Sequence, residues 1–127
     1  MILLDSSVWV AIQHGRLSLL DLVAENEEIA CCPVVITEVM RGVRLEQYES
    51  TRKMLAKATL IDAPTPLERF EEAARIYLRC RVAGITPSTP DSLIAACAIA
   101  KDIPLLHDDS DFDHMANVVP LKTLTRS

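Results

Sequence analysis

A chain of 127 residues accommodates one domain with a real core and is too short for two, so a single domain over residues 1–127 is expected. Half of the residues are hydrophobic, 24% are charged and only three are glycine, which excludes a disordered chain. A net charge of -5 excludes a broad electrostatic grip on nucleic acid, and no apolar run approaches bilayer length; as the stretch MILLDSSVWV lacks a basic leader and an apolar core before a cleavage site, a soluble cytoplasmic protein without membrane association is expected.

In chain order, Ile2 to Leu4 reads as a short buried strand that stops at Asp5, and Ser6 or Ser7 opens a helix running toward Gly15. Asp5 therefore sits at a strand-to-helix junction, where an N-cap is its ordinary local role. Leu17 to Glu25 places its leucines and valine at helical spacing, Ile29 to Cys32 reads as a second strand, and Pro33 breaks it. A third helix over 34–44 carries Val35, Ile36, Val39, Met40 and Val43 as its apolar stripe. Glu38 lies beside that stripe, with Arg41 at i+3 as a natural ion-pair partner.

An amphipathic helix is expected over 47–58 and a brief strand at Leu60-Ile61. Thr65, Pro66 and Glu68 have the pattern of a cap, a first-position proline and an N3 acid, opening a long helix that Gly84 ends. The stretch from Pro87 to His114 carries the most chemistry. Thr89 as cap and Pro90 at the first position start a helix that is uncharged from Ser92 to Ala100 and so belongs in the core. Asp91 in its first turn is either a dipole partner or a functional acid. A turn at Lys101-Asp102 leads to a strand over 103–106, then to an acidic loop with Asp108, Asp109 and Asp111. Val118-Val119 and Leu121 form the last expected strand, with a loose polar tail from Thr123.

Cys31, Cys32, Cys80 and Cys97 lack C-x-x-C spacing and read as buried thiols. Basic residues gather in two stretches, 41–57 (including Arg41 and Arg44) and 69–81, and are candidates for gripping a nucleic-acid backbone.

Short apolar strands alternating with helices predict an α/β fold with a mainly parallel sheet covered on both faces. Sites in such sheets form beyond the carboxyl ends of the strands, where strand order switches. Asp5 and the late acids follow strands from opposite ends of the sequence, so they fall on one edge, and Glu38 and Asp91 can join them. Four clustered carboxylates repel one another unless a cation sits among them, and an all-oxygen set suits Mg²⁺ or Mn²⁺. Such an ion can activate water and clamp a phosphodiester.

Leu3-Leu4-Asp5-Ser6-Ser7, Thr37-Glu38, Asp91-Ser92-Leu93-Ile94-Ala95-Ala96 and Leu105-Leu106-His107-Asp108-Asp109-Ser110-Asp111-Phe112 resemble the successive motifs of PIN-domain ribonucleases, in the order and size of VapC toxins. The resemblance spans essentially the whole chain. It implies a three-layer α/β/α fold and a Mg²⁺- or Mn²⁺-dependent endoribonuclease. Asp5, Glu38, Asp91 and Asp109 would be its acids, with the metal on Asp5, Asp91 and Asp109. It further implies a homodimer and a cognate VapB-like antitoxin that blocks the active-site groove and forms a higher assembly with the toxin. Ser6 matches the hydroxyl residue that follows the family's first acid. His107 departs from the Thr or Ser usual in the last motif, and Asp108 is an extra acid. That leaves the fourth ligand open between Asp108, Asp109 and Asp111; alignment on Asp111-Phe112 favours Asp109, with Asp111 in support.

Two rival readings are a catalytically silent PIN-like interaction module and a non-toxin RNA-processing nuclease. Retention of all four acids speaks against the first. An EF-hand loop beginning at Asp109 fails, because His114 stands where the turn glycine belongs.

Overall fold

A computed structural model describes residues 1–25 and 28–125. Five short strands, β1 (Ile2–Leu4), β2 (Ile29–Cys31), β3 (Thr59–Leu60), β4 (Leu105–His107) and β5 (Thr123–Thr125), alternate with seven helices among the described residues. These are α1 (Ser6–Gln13), α2 (Leu19–Glu25), α3 (Pro33–Met40), α4 (Tyr48–Leu55), α5 (Leu67–Val82), α6 (Thr89–Lys101) and α7 (Ser110–Ala116), with a single 3-10 turn at Leu45–Gln47. None of the helices is long and apolar enough to cross a membrane.

All strand pairs are parallel, in the order β3-β2-β1-β4-β5. From β1 the chain steps outward through β2 to β3, then crosses back to β4 and steps outward the other way to β5. Right-handed crossovers in opposite directions put their helices on opposite faces of the sheet, which gives three layers. The strand order therefore reverses between β1 and β4, whose register pairs Leu4 with Leu106. Beyond those two residues lie Asp5 on one strand and His107, Asp108 and Asp109 on the other.

Strands covered on both faces are largely apolar, and β1, β2 and β4 are buried throughout, with His107 at the end of β4 their one polar residue. Around them pack Trp9, Val35, Ile94, Phe112 and Met115, all essentially inaccessible to solvent. Helix α6 is buried from Ile94 to Ala98, as its uncharged sequence requires. All four cysteines are buried free thiols, and burial pushes the Cys31 thiol up to about 12.

Several expectations need correction. The last strand is Thr123–Thr125, not Val118 to Leu121. Val119 and Leu121 are buried by their apolarity, but Pro120 has no N–H to give and Leu121 N closes a tight turn on Val119 O at 2.7 Å. The strand follows two residues later, where β-branched Thr123 and Thr125 pair with Leu105 and His107 at the sheet edge. The polar tail expected to be loose is thus partly a strand; its last two residues lie outside the described ones. The acidic loop is mostly α7, capped by Asp109, whose Oδ1 accepts from Asp111 N at 3.0 Å. Only Phe112 and Met115 of that helix are buried, too few for a visible period. Ser88, not Thr89, caps α6, its Oγ accepting from Asp91 N at 3.1 Å. Pro66 occupies the cap position of α5, while the Thr65 hydroxyl donates to Asp62 O. Helix α3 ends at Met40, so Arg41 and Arg44 lie in the turns beyond it.

Candidate metal centre

Four elements converge at the strand-order switch. Asp5 caps α1 directly after β1, Glu38 projects from α3, Asp91 occupies the first turn of α6, and Asp109 caps α7 just beyond β4. Asp5, Glu38 and Asp91 each offer an oxygen within 4.8 Å of the other two. Asp91, Asp109 and Asp111 form a second such trio, so Asp91 is the hinge of one acidic cluster. Asp108 belongs to neither trio among the described residues.

Asp5 is 3% exposed, and its two carboxylate oxygens differ in their surroundings. Its Oδ2 accepts from Ser7 N at 3.2 Å and from Ser7 Oγ at 2.6 Å, which caps the helix. Its Oδ1 is buried with no hydrogen-bond partner, and the same holds for Glu38 Oε1. A buried, unsatisfied carboxylate oxygen is expensive, on the order of 1–3 kcal/mol or more for a charged group. Two of them within one oxygen-only trio are what a hard divalent cation would satisfy, so the residues present fit such an ion.

Proton affinities report the same crowding. Asp91 is pushed up to about 6, chiefly by burial, then by the neighbouring Asp5; the Ser88 hydrogen bond opposes this, while Asp109 and Glu38 add to it. Glu38 is raised for the same two leading reasons, burial and Asp5, with Ser6 and Arg41 pulling the other way. The centre thus holds negative charge at a cost, which a cation would remove.

Sequence reasoning missed Ser7. Its hydroxyl donates to Asp5 and accepts from Asp108 N at 3.1 Å, joining the ends of β1 and β4. The local half of this contact, an Asp bonded two residues on, is a known short-range pattern. The other half spans 101 residues and has no sequence signal.

The basic stretches fare unevenly. The basic stretch 69–81 loses Arg69: it is buried, with Nε and Nη2 on the Asp62 carboxylate at 2.9 and 3.2 Å and Nη1 on Glu72 at 2.8 Å. These partners raise its proton affinity further. Arg52 pairs with Glu49, and exposed Arg44 lies 3.5 Å from Glu46. Arg41 is exposed and close enough to Glu38 to act on its titration.

Comparison with known proteins agrees with this fold. The PIN domain family model matches residues 2–118. The VapC ribonuclease Mb1587 of Mycobacterium bovis is 32% identical over 133 residues, covering 96% of this chain and 96% of the relative. Among solved structures, VapBC2 from Rickettsia felis, bound to a DNA fragment from their promoter, aligns with a TM-score of 0.79 at 22% identity, over 98% of both chains. VapBC-1 from nontypeable Haemophilus influenzae aligns at 0.78 and 14%, again over 98% of both. At those identities the two structures speak for the fold, and the family match and the mycobacterial relative speak for descent. This chain belongs to the PIN domain family and is a relative of the VapC ribonucleases within it.

Proposed function

We propose that the protein is a divalent-metal-dependent endoribonuclease, the toxin of a type II toxin-antitoxin pair, acting in the cytoplasm as a single PIN domain. The observation that carries this reading is the convergence of Asp5, Glu38, Asp91 and Asp109 at the strand-order switch, with two buried carboxylate oxygens lacking any partner. A silent interaction module has no use for such an arrangement, which weakens the fold unless a cation is bound.

In this reading Asp5, Glu38 and Asp91 hold the ion, Mg²⁺ or Mn²⁺, through the trio with the two unpartnered oxygens, and Asp109 joins them from the second trio through Asp91. A bound divalent ion supplies an activated water for in-line attack and neutralises charge on the phosphodiester. The chain's own residues prepare that site. Ser7 turns Asp5 so that Oδ2 is spent on the helix cap and Oδ1 is left for the ion. Ser6 and Arg41 favour the ionised form of Glu38, against the burial that disfavours it. Asp111, whose amide bonds Asp109, supports the second trio, and the Asp108 amide anchors the turn on Ser7. Arg41 and Arg44 are the proposed contacts to the RNA backbone, a role that their exposure after α3 supports. Binding of RNA that is independent of salt would remove them from this role.

The partner proposed is a VapB-like antitoxin that covers the acidic centre, with the toxin a homodimer in a larger assembly. Cleavage of total cellular RNA by the purified protein with Mg²⁺ or Mn²⁺, run beside EDTA and Asp91→Asn, tests the activity. Discrete fragments that vanish in both controls are expected. Cleavage that persists in Asp91→Asn refutes the site, and no cleavage by folded, metal-loaded protein refutes the activity on these RNAs.

A further inference from the structure

His107 ends β4 and is 1% exposed, yet both ring nitrogens are engaged. Asp109 N lies 3.1 Å from Nδ1, and Nε2 lies 3.1 Å from Asp113 Oδ1 on α7. A backbone N–H can only donate, so Nδ1 must be the acceptor. The proton of the neutral ring then resides on Nε2 and is donated to Asp113. The ring also packs on Phe112, with centroids 5.4 Å apart, so the imidazole has little freedom to turn.

The turn that His107 grips is the one that delivers Asp109. Two successive amides follow β4, and each is held by a side chain from elsewhere in the turn's surroundings: Asp108 N by Ser7 Oγ, Asp109 N by His107 Nδ1. With its amide fixed by His107 and its Oδ1 fixed by Asp111 N, Asp109 keeps only its remaining oxygen free to adjust. We propose that His107 is a positioning residue: as the Nε2–H tautomer it clamps the Asp109 amide to Asp113 and so sets where the Asp109 carboxylate meets Asp91. The inference rests on the proposed place of Asp109 in the metal centre.

Side-chain amides separate the two contacts. In His107→Asn, Oδ1 stands near the position of Nδ1 and can still accept from Asp109 N. In His107→Gln, the terminal amide stands near Nε2 and can reach Asp113 only. The variants are compared by Mn²⁺ titration calorimetry, by Asp109 amide exchange in EDTA and by RNA cleavage across Mn²⁺ concentrations, with circular dichroism to establish folding. His107→Asn should bind Mn²⁺ within about 3-fold of wild type, and His107→Gln about 10-fold or more weaker, as for residues that orient metal ligands. Cleavage by His107→Gln should recover at saturating Mn²⁺, which a general loss of structure would not allow. Asp109 exchange should quicken by up to about 10-fold in His107→Gln, the worth of one hydrogen bond.

The imidazole ¹⁵N spectrum of metal-free wild type judges the contact without any variant, and the Nε2–H pattern is expected. An Nδ1–H pattern overturns the proposal, as does folded His107→Gln that binds Mn²⁺ like wild type. Wild type that binds no Mn²⁺ would instead overturn the proposed function; the ¹⁵N spectrum and the exchange rates would then decide the clamp alone.

Discussion

Removing the charge at Asp91 should stabilise the metal-free protein and abolish its response to metal. An Asp carboxyl moved from 3.8 to about 6 holds its ionised form at a cost on the order of 3 kcal/mol above both values. Because the group is only partly buried, solvent screening reduces this to about 1–2 kcal/mol. The sign follows from the direction of the shift. A raised folded-state value makes the protein most stable below about pH 4, where Asp91 is protonated in both states, and that stability is lost as pH rises through about 6. Urea unfolding in EDTA at intervals from pH 4 to 8 should therefore show wild type falling relative to Asp91→Asn between pH 4 and 6. The difference should settle at about 1–2 kcal/mol in favour of the variant. At 100 times its dissociation constant, Mg²⁺ or Mn²⁺ should stabilise wild type by about 2.7 kcal/mol and the variant by far less. The reasoning is refuted if Asp91→Asn is the less stable protein in EDTA at pH 7.5, which would make Asp91 a favourable helix-dipole partner and not a strained member of an anionic cluster.

Protons and metal compete for Asp91 and Glu38, both raised, so Mn²⁺ affinity measured by calorimetry should drop on going from pH 7.5 to 5.5; equal affinity at the two values would contradict the crowding. Ser7→Ala keeps the backbone cap contact to Asp5 but removes the hydroxyl bond to Asp5 Oδ2 and the anchor of Asp108 N, and a loss of about 1–2 kcal/mol in urea unfolding is expected together with weaker Mn²⁺ binding. An unchanged Mn²⁺ affinity would show that Asp5 is oriented by something else. Arg69→Met leaves the Asp62 carboxylate buried without its partner, and about 3–5 kcal/mol should be lost from stability, with residual folded protein still binding Mn²⁺. Destabilisation below about 1 kcal/mol would mean that water replaces the guanidinium.

Three acids of the centre were legible as candidates because each sits near a boundary that sequence marks well, whereas Glu38 lies inside α3. Asp5 follows an all-apolar triplet, Asp91 follows a Ser-Thr-Pro helix start, and Asp109 follows Leu105-Leu106. A buried parallel strand is largely apolar, so its end is visible where the first acids appear, Asp5 after β1 and Asp108-Asp109 after β4. Elements with half-exposed or very short apolar faces were not legible in the same way. Edge strand β5 shows the sheet only one partner and has a polar sequence, and α7 buries two residues. Ser88 and Thr89 are both favoured cap residues, and backbone geometry decided for Ser88.

By itself the sequence determined the alternation of strands and helices, the buried character of α6, and the set of acids able to share one edge of the sheet. These are local properties, written in hydrophobic period and in residue types at element ends. Tertiary structure alone decided that Asp91 belongs to both acidic trios, that Arg69 is consumed by Asp62 in the interior, and that Ser7 reaches the amide after β4. Arg69 lies only seven residues from Asp62, but the other two are contacts between segments far apart in the chain. The β1–β4 pairing brings them together, because the strand order reverses there and leaves the carboxyl ends of the first and fourth strands side by side.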